Sequence, residues 1–224
     1  MYNAAMPNKT YGQLCPIARA LDVLGDRWTL LLVRELLLGP KRFKELLATL
    51  PAMGTNRLSE RLAMLVENGV IRQTTQPLSS TTPAYELTEL GEQLREPLVS
   101  LGLWGLSLPI DERIEPSSAR AELIALCLSG AHDAATSSKL RESYEFHVAT
   151  EVFHIEVNDG TLRARSGISP VDVAIKVQCD VDAFTDLVLG EISPSRALRE
   201  HRVTLLQGEK TAFTRAFSVL RYKP

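Results

Sequence analysis

Apolar residues recur at helical spacing through the first half of the chain and at a spacing of two through much of the second. Pro16 suits the first turn of a helix, where its missing N–H costs nothing. Ile17, Ala20, Leu21 and Leu24 then mark one apolar face, and Gly25 stops the helix. Residues 28–38 are nearly all apolar, which predicts a buried central helix, and Gly39-Pro40 ends it. Phe43, Leu46, Leu47 and Leu50 repeat at i, i+3, i+4 and i+7 on a short third helix. After the turn 51–54, residues 55–67 form a fourth helix that buries Leu58, Leu62, Leu65 and Val66. Its opposite face carries Asn56, Arg57, Glu60, Arg61 and Met64. Two short strands follow, 70–74 and 84–87, around a polar loop. A long helix over 88–104 then aligns Leu90, Leu94, Leu98, Leu101 and Trp104 on one stripe.

Periodicity lapses near 108–118, where Pro109, Pro116, Ser117 and Ser118 cluster, so the chain divides into domains at 1–110 and 117–224. Beyond the break come an apolar helix at 121–129 and alternating strands at 144–149, 151–157, 161–165 and 171–177. The turn Asn158-Asp159-Gly160 marks a hairpin. Helices around Phe184, after the Ser193-Pro194 cap and over 210–220 complete the second half, with a short strand at 203–206. The fold class is therefore α+β.

A short helix, a tight turn and a second helix with an arginine-bearing polar face make a helix–turn–helix, and the strands after it make a wing. The net charge is only −2, yet residues 39–82 hold six basic residues against three acidic ones. A local basic surface is what a DNA reader needs. The candidate DNA contacts are Lys41 and Arg42 before the third helix, Thr55, Asn56, Arg57, Ser59, Glu60 and Arg61 on the fourth, and Ser79, Ser80 and Thr81 in the wing loop. Arginine can donate two bonds to guanine, asparagine can pair with adenine, and hydroxyls hold phosphates. Lys41 is expected to meet the phosphate backbone.

The segments CPIARALDVLGDRWTLLLVREL, GPKRFKELLATLP, RLSERLAMLVENGVI and PAYELTELGEQL together resemble the HxlR family of bacterial winged-helix regulators over about residues 11–105. Gly54 departs from that pattern, standing where a capping serine is common. The resemblance implies double-stranded DNA as partner and a homodimer, with Leu94, Leu98, Leu101 and Trp104 as candidate interface. It also makes Cys15, in the Cys-Pro context that some similar regulators use, a redox-sensing candidate; a small helix-cap residue is the alternative. The second half resembles the sterol-carrier-protein-2-like fold, which implies an apolar cavity and a hydrophobic small-molecule effector. The same apolar residues would equally fill a closed core.

The four histidines have no metal-ligand spacing, and no GxSxG, Walker A or GxGxxG motif occurs, so neither metal nor cofactor is expected. Three scattered cysteines, no membrane-length apolar run and an N-terminus without signal-peptide pattern predict a cytoplasmic protein. The expected function is a non-enzymatic DNA-binding regulator that binds a palindromic operator as a dimer. The alternative is a small-molecule carrier or enzyme built on the second domain, with the first serving oligomerisation.

Overall fold

The computed structural model describes residues 10–75, 83–115 and 118–222. The chain forms two compact units, Met1–Arg95 and Glu96–Pro224. The linker read from sequence lies downstream of that division, at 109–116. No helix among the described residues is long and apolar enough to cross a membrane.

The first unit runs α1 (Pro16–Leu24), α2 (Thr29–Leu37), β1 (Lys41–Arg42), α3 (Phe43–Thr49), a 3-10 turn (Pro51–Met53), α4 (Thr55–Glu67), β2 (Ile71–Thr74), β3 (Ala84–Leu87) and α5 (Glu89–Glu92). Its core is α2, as the apolar run demands: Leu32, Val33, Leu36, Leu37 and Leu38 are buried, joined by Leu46, Leu58, Leu62 and Leu65. The strands form one antiparallel sheet in the order β1-β3-β2. Two expectations fail here. Val66 is exposed rather than buried, and α1 buries only Ala18 while Ile17 and Leu21 stay exposed. An apolar face predicts burial against something, and the described residues of this chain do not bury it.

The long helix expected over 88–104 is two helices, α5 and α6 (Arg95–Gly105). Pro97 explains the break, because a proline inside a continuous helix would lose an i→i−4 bond and clash with the preceding turn; near the start of a new helix it does neither. Thr88 caps α5, its Oγ1 accepting from the Gly91 N–H at 3.2 Å. The same hydroxyl donates to the Gly69 carbonyl at 2.6 Å, tying α5 to the end of α4.

The second unit takes in α6 from Glu96, then α7 (Ala121–Ala131), a 3-10 turn (Ala134–Ser137), β4 (Arg141–Val148), β5 (Glu151–Asn158), β6 (Thr161–Ser166), β7 (Ile175–Cys179), α8 (Val181–Leu189), α9 (Pro194–Arg199), β8 (Val203–Gly208) and α10 (Lys210–Leu220). The five strands form a mixed sheet in the order β6-β5-β4-β7-β8, in which only β4 and β7 run parallel. The hairpin turn falls where its residues predict it: Asp159 and Gly160 both have positive φ, at 45° and 88°.

Alternation sorts the sheet into two faces. Phe146 stands opposite Phe153 on β5 and Val177 on β7, and all three are fully buried. Phe184 from α8 and Phe217 from α10 close over them. Ring centroids are 5.4 Å apart for Phe146–Phe153, 5.5 Å for Phe146–Phe184 and 5.8 Å for Phe146–Phe217. Phe213 adds a further edge contact at 5.0 Å from Phe217. These rings occupy the layer between sheet and helices.

The other face is polar. Glu145 lies opposite His154 and Lys176 in the register, and residues 167–174 are tied to it. The Ser169 N–H donates to Glu145, the Ala174 N–H to the Ser143 carbonyl, and His154 Nδ1 lies 2.9 Å from the Gly167 carbonyl oxygen. That fastening starts β7 at Ile175, four residues later than the strand expected from position 171. Burial pushes the Glu145 carboxyl up, but bonds from His147, Lys176 and the Ser169 N–H outweigh it and hold the group below its usual range.

Candidate nucleic-acid interface

α4, the candidate reading helix, begins at the turn that ends in Gly54. Gly54 has φ 74° and ψ 158°, a left-handed conformation that a serine would adopt only under strain. Gly54 therefore replaces the usual capping serine for a backbone reason. Glycine in this place costs only a few tenths of a kcal/mol relative to a good cap. Met53, Leu58, Leu62 and Leu65 are buried beneath the turn and helix.

The outer face of α4 presents Thr55, Asn56, Arg57, Ser59 and Glu60, all exposed. Arg57 makes no ion pair or hydrogen bond among the described residues. The Ser59 hydroxyl donates to the Thr55 carbonyl at 3.0 Å, so toward a phosphate it is a weaker donor than its position suggests. Arg42 is half-buried at the start of α3, where its N–H donates to Glu45 at 2.6 Å in a capping arrangement.

Two of the expected contacts are placed differently. Lys41 is only 9% exposed, and its Nζ lies 3.6 Å from the fully buried Glu35, which also accepts from Arg34 at 2.7 Å. A buried carboxylate needs a cation beside it. Lys41 fills that need inside the unit, and this takes it out of the set that could meet DNA phosphates. Arg61 is half-buried, its Nη2 lying 3.7 Å from Asp26 in the turn between α1 and α2.

Ser79, Ser80 and Thr81 lie outside the described residues. At the base of the wing, Arg72 donates to Glu86 at 2.7 Å across the β2–β3 pair, and Gln73 donates to the Tyr85 hydroxyl at 3.3 Å. Lys44, in the basic island but outside the expected contacts, is exposed. Sequence reasoning assigned no role to Asp26 or Gly91, although both sit inside the quoted motifs. Their partners, Arg61 and the Val70 carbonyl, are distant in sequence, so local pattern could not show them.

Cys15 is exposed at the N-cap of α1, whereas Cys127 and Cys179 are half-buried. Burial and the neighbouring Asp180 push the Cys179 thiol up to about 12, so it is inert as a thiolate. Leu94 is half-buried in the first unit. In the second, Leu98 is half-buried while Leu101 and Trp104 remain 46% and 61% exposed.

The sequence matches the family described as HxlR-like helix–turn–helix over residues 23–110. The HTH-type transcriptional regulator YodB of Bacillus subtilis (strain 168) is 33% identical over 110 residues, covering 49% of this chain and 94% of YodB. The HTH-type transcriptional regulator YvaP of the same organism is 36% identical over 106 residues, covering 47% of this chain and 94% of YvaP. A solved structure of reduced YodB aligns with a TM-score of 0.39 at 33% identity, over 44% of this chain and 100% of that one. Two regulators matched along nearly their whole length, and a reading helix with its polar face outward, lead to one conclusion. The chain belongs to the HxlR-like helix–turn–helix family and is a DNA-binding transcriptional regulator.

Proposed function

We propose that the chain binds a palindromic operator as a homodimer, with α4 in the major groove. Asn56 and Arg57 read base edges, while Thr55 and the wing meet phosphates. The observation that carries this reading is Arg57: exposed, unpaired among the described residues, and flanked by Asn56 and Glu60 on a helix whose other face is locked into the core. Arg57→Ala is expected to weaken operator binding by about 1–3 kcal/mol and to relax preference at one base pair per half-site. Fluorescence anisotropy at fixed salt against operator and random duplexes measures this. An equal loss on both would remove Arg57 from base reading.

Dimerisation is supported by apolar side chains that the single chain leaves in water: Leu14, Ile17 and Leu21 in and before α1, and Leu101 and Trp104 on α6. Pairing through a two-fold axis would cover them and set the spacing of two half-sites. Leu101→Glu with Trp104→Glu is expected to turn a dimer at micromolar concentration into a monomer, as read by light scattering. A wild-type chain that is already monomeric would refute the dimer.

On this reading residues 1–110 serve DNA binding and dimerisation, and 117–224 form a sterol-carrier-protein-2-like domain. The mixed five-stranded sheet with helices on its apolar face supports that likeness. The packed phenylalanine rings favour a closed core over a cavity, so a hydrophobic effector would have to displace them. The exposure of Cys15 at a helix N-terminus supports its reading as the oxidant-sensitive thiol of the three.

A further inference from the structure

We infer that Asp26 and Arg61 form a positioning strut for α4, so that Arg61 acts on DNA binding through the orientation of the helix and not by touching DNA. The inference rests on the reading of α4 as the DNA-contacting helix. Arg61 follows Arg57 by one turn, and from sequence alone both belong to the reading face. The structure separates them. Arg57 is exposed, whereas the Nε of Arg61 is buried, makes no hydrogen bond among the described residues, and so points into the unit instead of toward a groove.

Its partner is held firmly. Asp26 Oδ1 accepts from the Trp28 N–H at 3.2 Å, and the Asp26 carbonyl accepts from the Thr29 N–H at 3.1 Å as α2 begins. The second carboxylate oxygen is then left facing Arg61, with both side chains about one-third exposed. Asp26 thus belongs to the turn that opens the central helix, and the ion pair ties the middle of α4 to that turn. Leu58, Leu62 and Leu65 already hold the inner face of α4 in the core, and the ion pair adds a polar tie on its flank that resists rotation of the helix about its own axis.

Charge alone and positioning predict opposite results for one variant. Asp26→Asn removes a negative charge close to the reading face, so simple electrostatics would tighten binding to DNA. A positioning role predicts weaker binding. The full-length chain is first used to enrich duplexes from a random pool, and affinities are then measured on an enriched duplex and a scrambled one over a salt series. Asp26→Asn and Arg61→Gln are each expected to lose about threefold to fivefold affinity for the enriched duplex, in keeping with a partly buried pair. The slope of log affinity against log salt should stay unchanged, whereas loss of a phosphate contact would lower it by about 0.9 per contact. Should either single variant melt below the assay temperature, the double variant Asp26→Asn with Arg61→Gln, measured beside both singles at a temperature where all are folded, decides, since a strut predicts that the double loses no more affinity than either single. Tighter binding by Asp26→Asn, a reduced salt slope for Arg61→Gln, or a double variant whose losses simply add would overturn the inference while leaving α4 as the reading helix. A wild-type chain that enriches no duplex would overturn both.

Discussion

Phe184→Ala is expected to remove about 3–5 kcal/mol from the stability of the second unit, a large share of the roughly 5–15 kcal/mol that holds a domain folded. Phe184 is fully buried at the point where α8 meets the sheet and α10. Its ring centroid lies 5.5 Å from Phe146, 5.5 Å from Phe153 and 6.2 Å from Phe217. Truncation forfeits the transfer energy of the ring, the cavity left behind and three edge contacts, each worth about 0.5–1.5 kcal/mol beyond area burial. The neighbours cannot collapse inward easily, because Phe146 and Phe153 are pinned as a cross-strand pair in the sheet. Phe213→Ala should cost less, since among the described residues the one ring contact of Phe213 is with Phe217, at 5.0 Å. Denaturant unfolding of the full chain, followed by a probe in the second unit, checks both. Equal losses for the two variants would show that the rings do not act as one cluster centred on Phe184.

Gly91→Ala should cost the first unit about 2–3 kcal/mol, far more than a methyl group on a surface helix ordinarily would. A Cβ on Gly91 would stand 2.1 Å from the Val70 carbonyl oxygen and 2.9 Å from Leu87 Cδ2. The carbonyl cannot retreat, because Val70 donates its own N–H to Leu65 at 2.9 Å and its oxygen accepts from the Thr88 N–H at 3.1 Å. Relief must come from moving α5 away from the base of the wing, which loosens the end of β3 and with it the β2–β3 pair. Hydrogen exchange is therefore expected to accelerate at the amides of Ile71–Thr74 and Ala84–Leu87, together with a lower melting temperature. Wild-type exchange at those amides would mean that Val70 and Gly91 are not in contact. Gly54→Ala offers a useful contrast. Its added carbon would meet nothing within 4 Å beyond its own chain neighbours, so its cost should come from the positive φ alone, about 1–3 kcal/mol.

The Thr88-x-x-Gly91 pattern shows how a motif can be legible before its cause is. Its residues mark the family in the sequence, yet the reason for the glycine is a carbonyl twenty-one positions upstream. Lys41 shows the reverse. It reads as a phosphate contact because it is a cation in a basic stretch, and only the buried Glu35 on α2 claims it for the interior. Formal charge in a sequence window says how many cations there are, not how many remain free to meet a ligand.

What the sequence by itself determined is what local physics governs. The 3.6-residue spacing of Leu58, Leu62 and Leu65 set the buried side of α4 and so the outward side of Asn56 and Arg57. The Asp159-Gly160 turn placed the β5–β6 hairpin, and the alternation of Phe146 and Phe153 with His147 and His154 set the two faces of the sheet. The tertiary structure decided everything that depended on a distant partner. It paired Arg61 with Asp26, buried Lys41, tied Arg95 to the Leu37 carbonyl, and delayed β7 by fastening residues 167–174 across the polar face. It also filled the second unit with aromatic rings. Periodicity records that a face is apolar, and composition records that a charge is present. Which surface covers the one, and which group neutralises the other, is set by contacts between residues far apart in the chain.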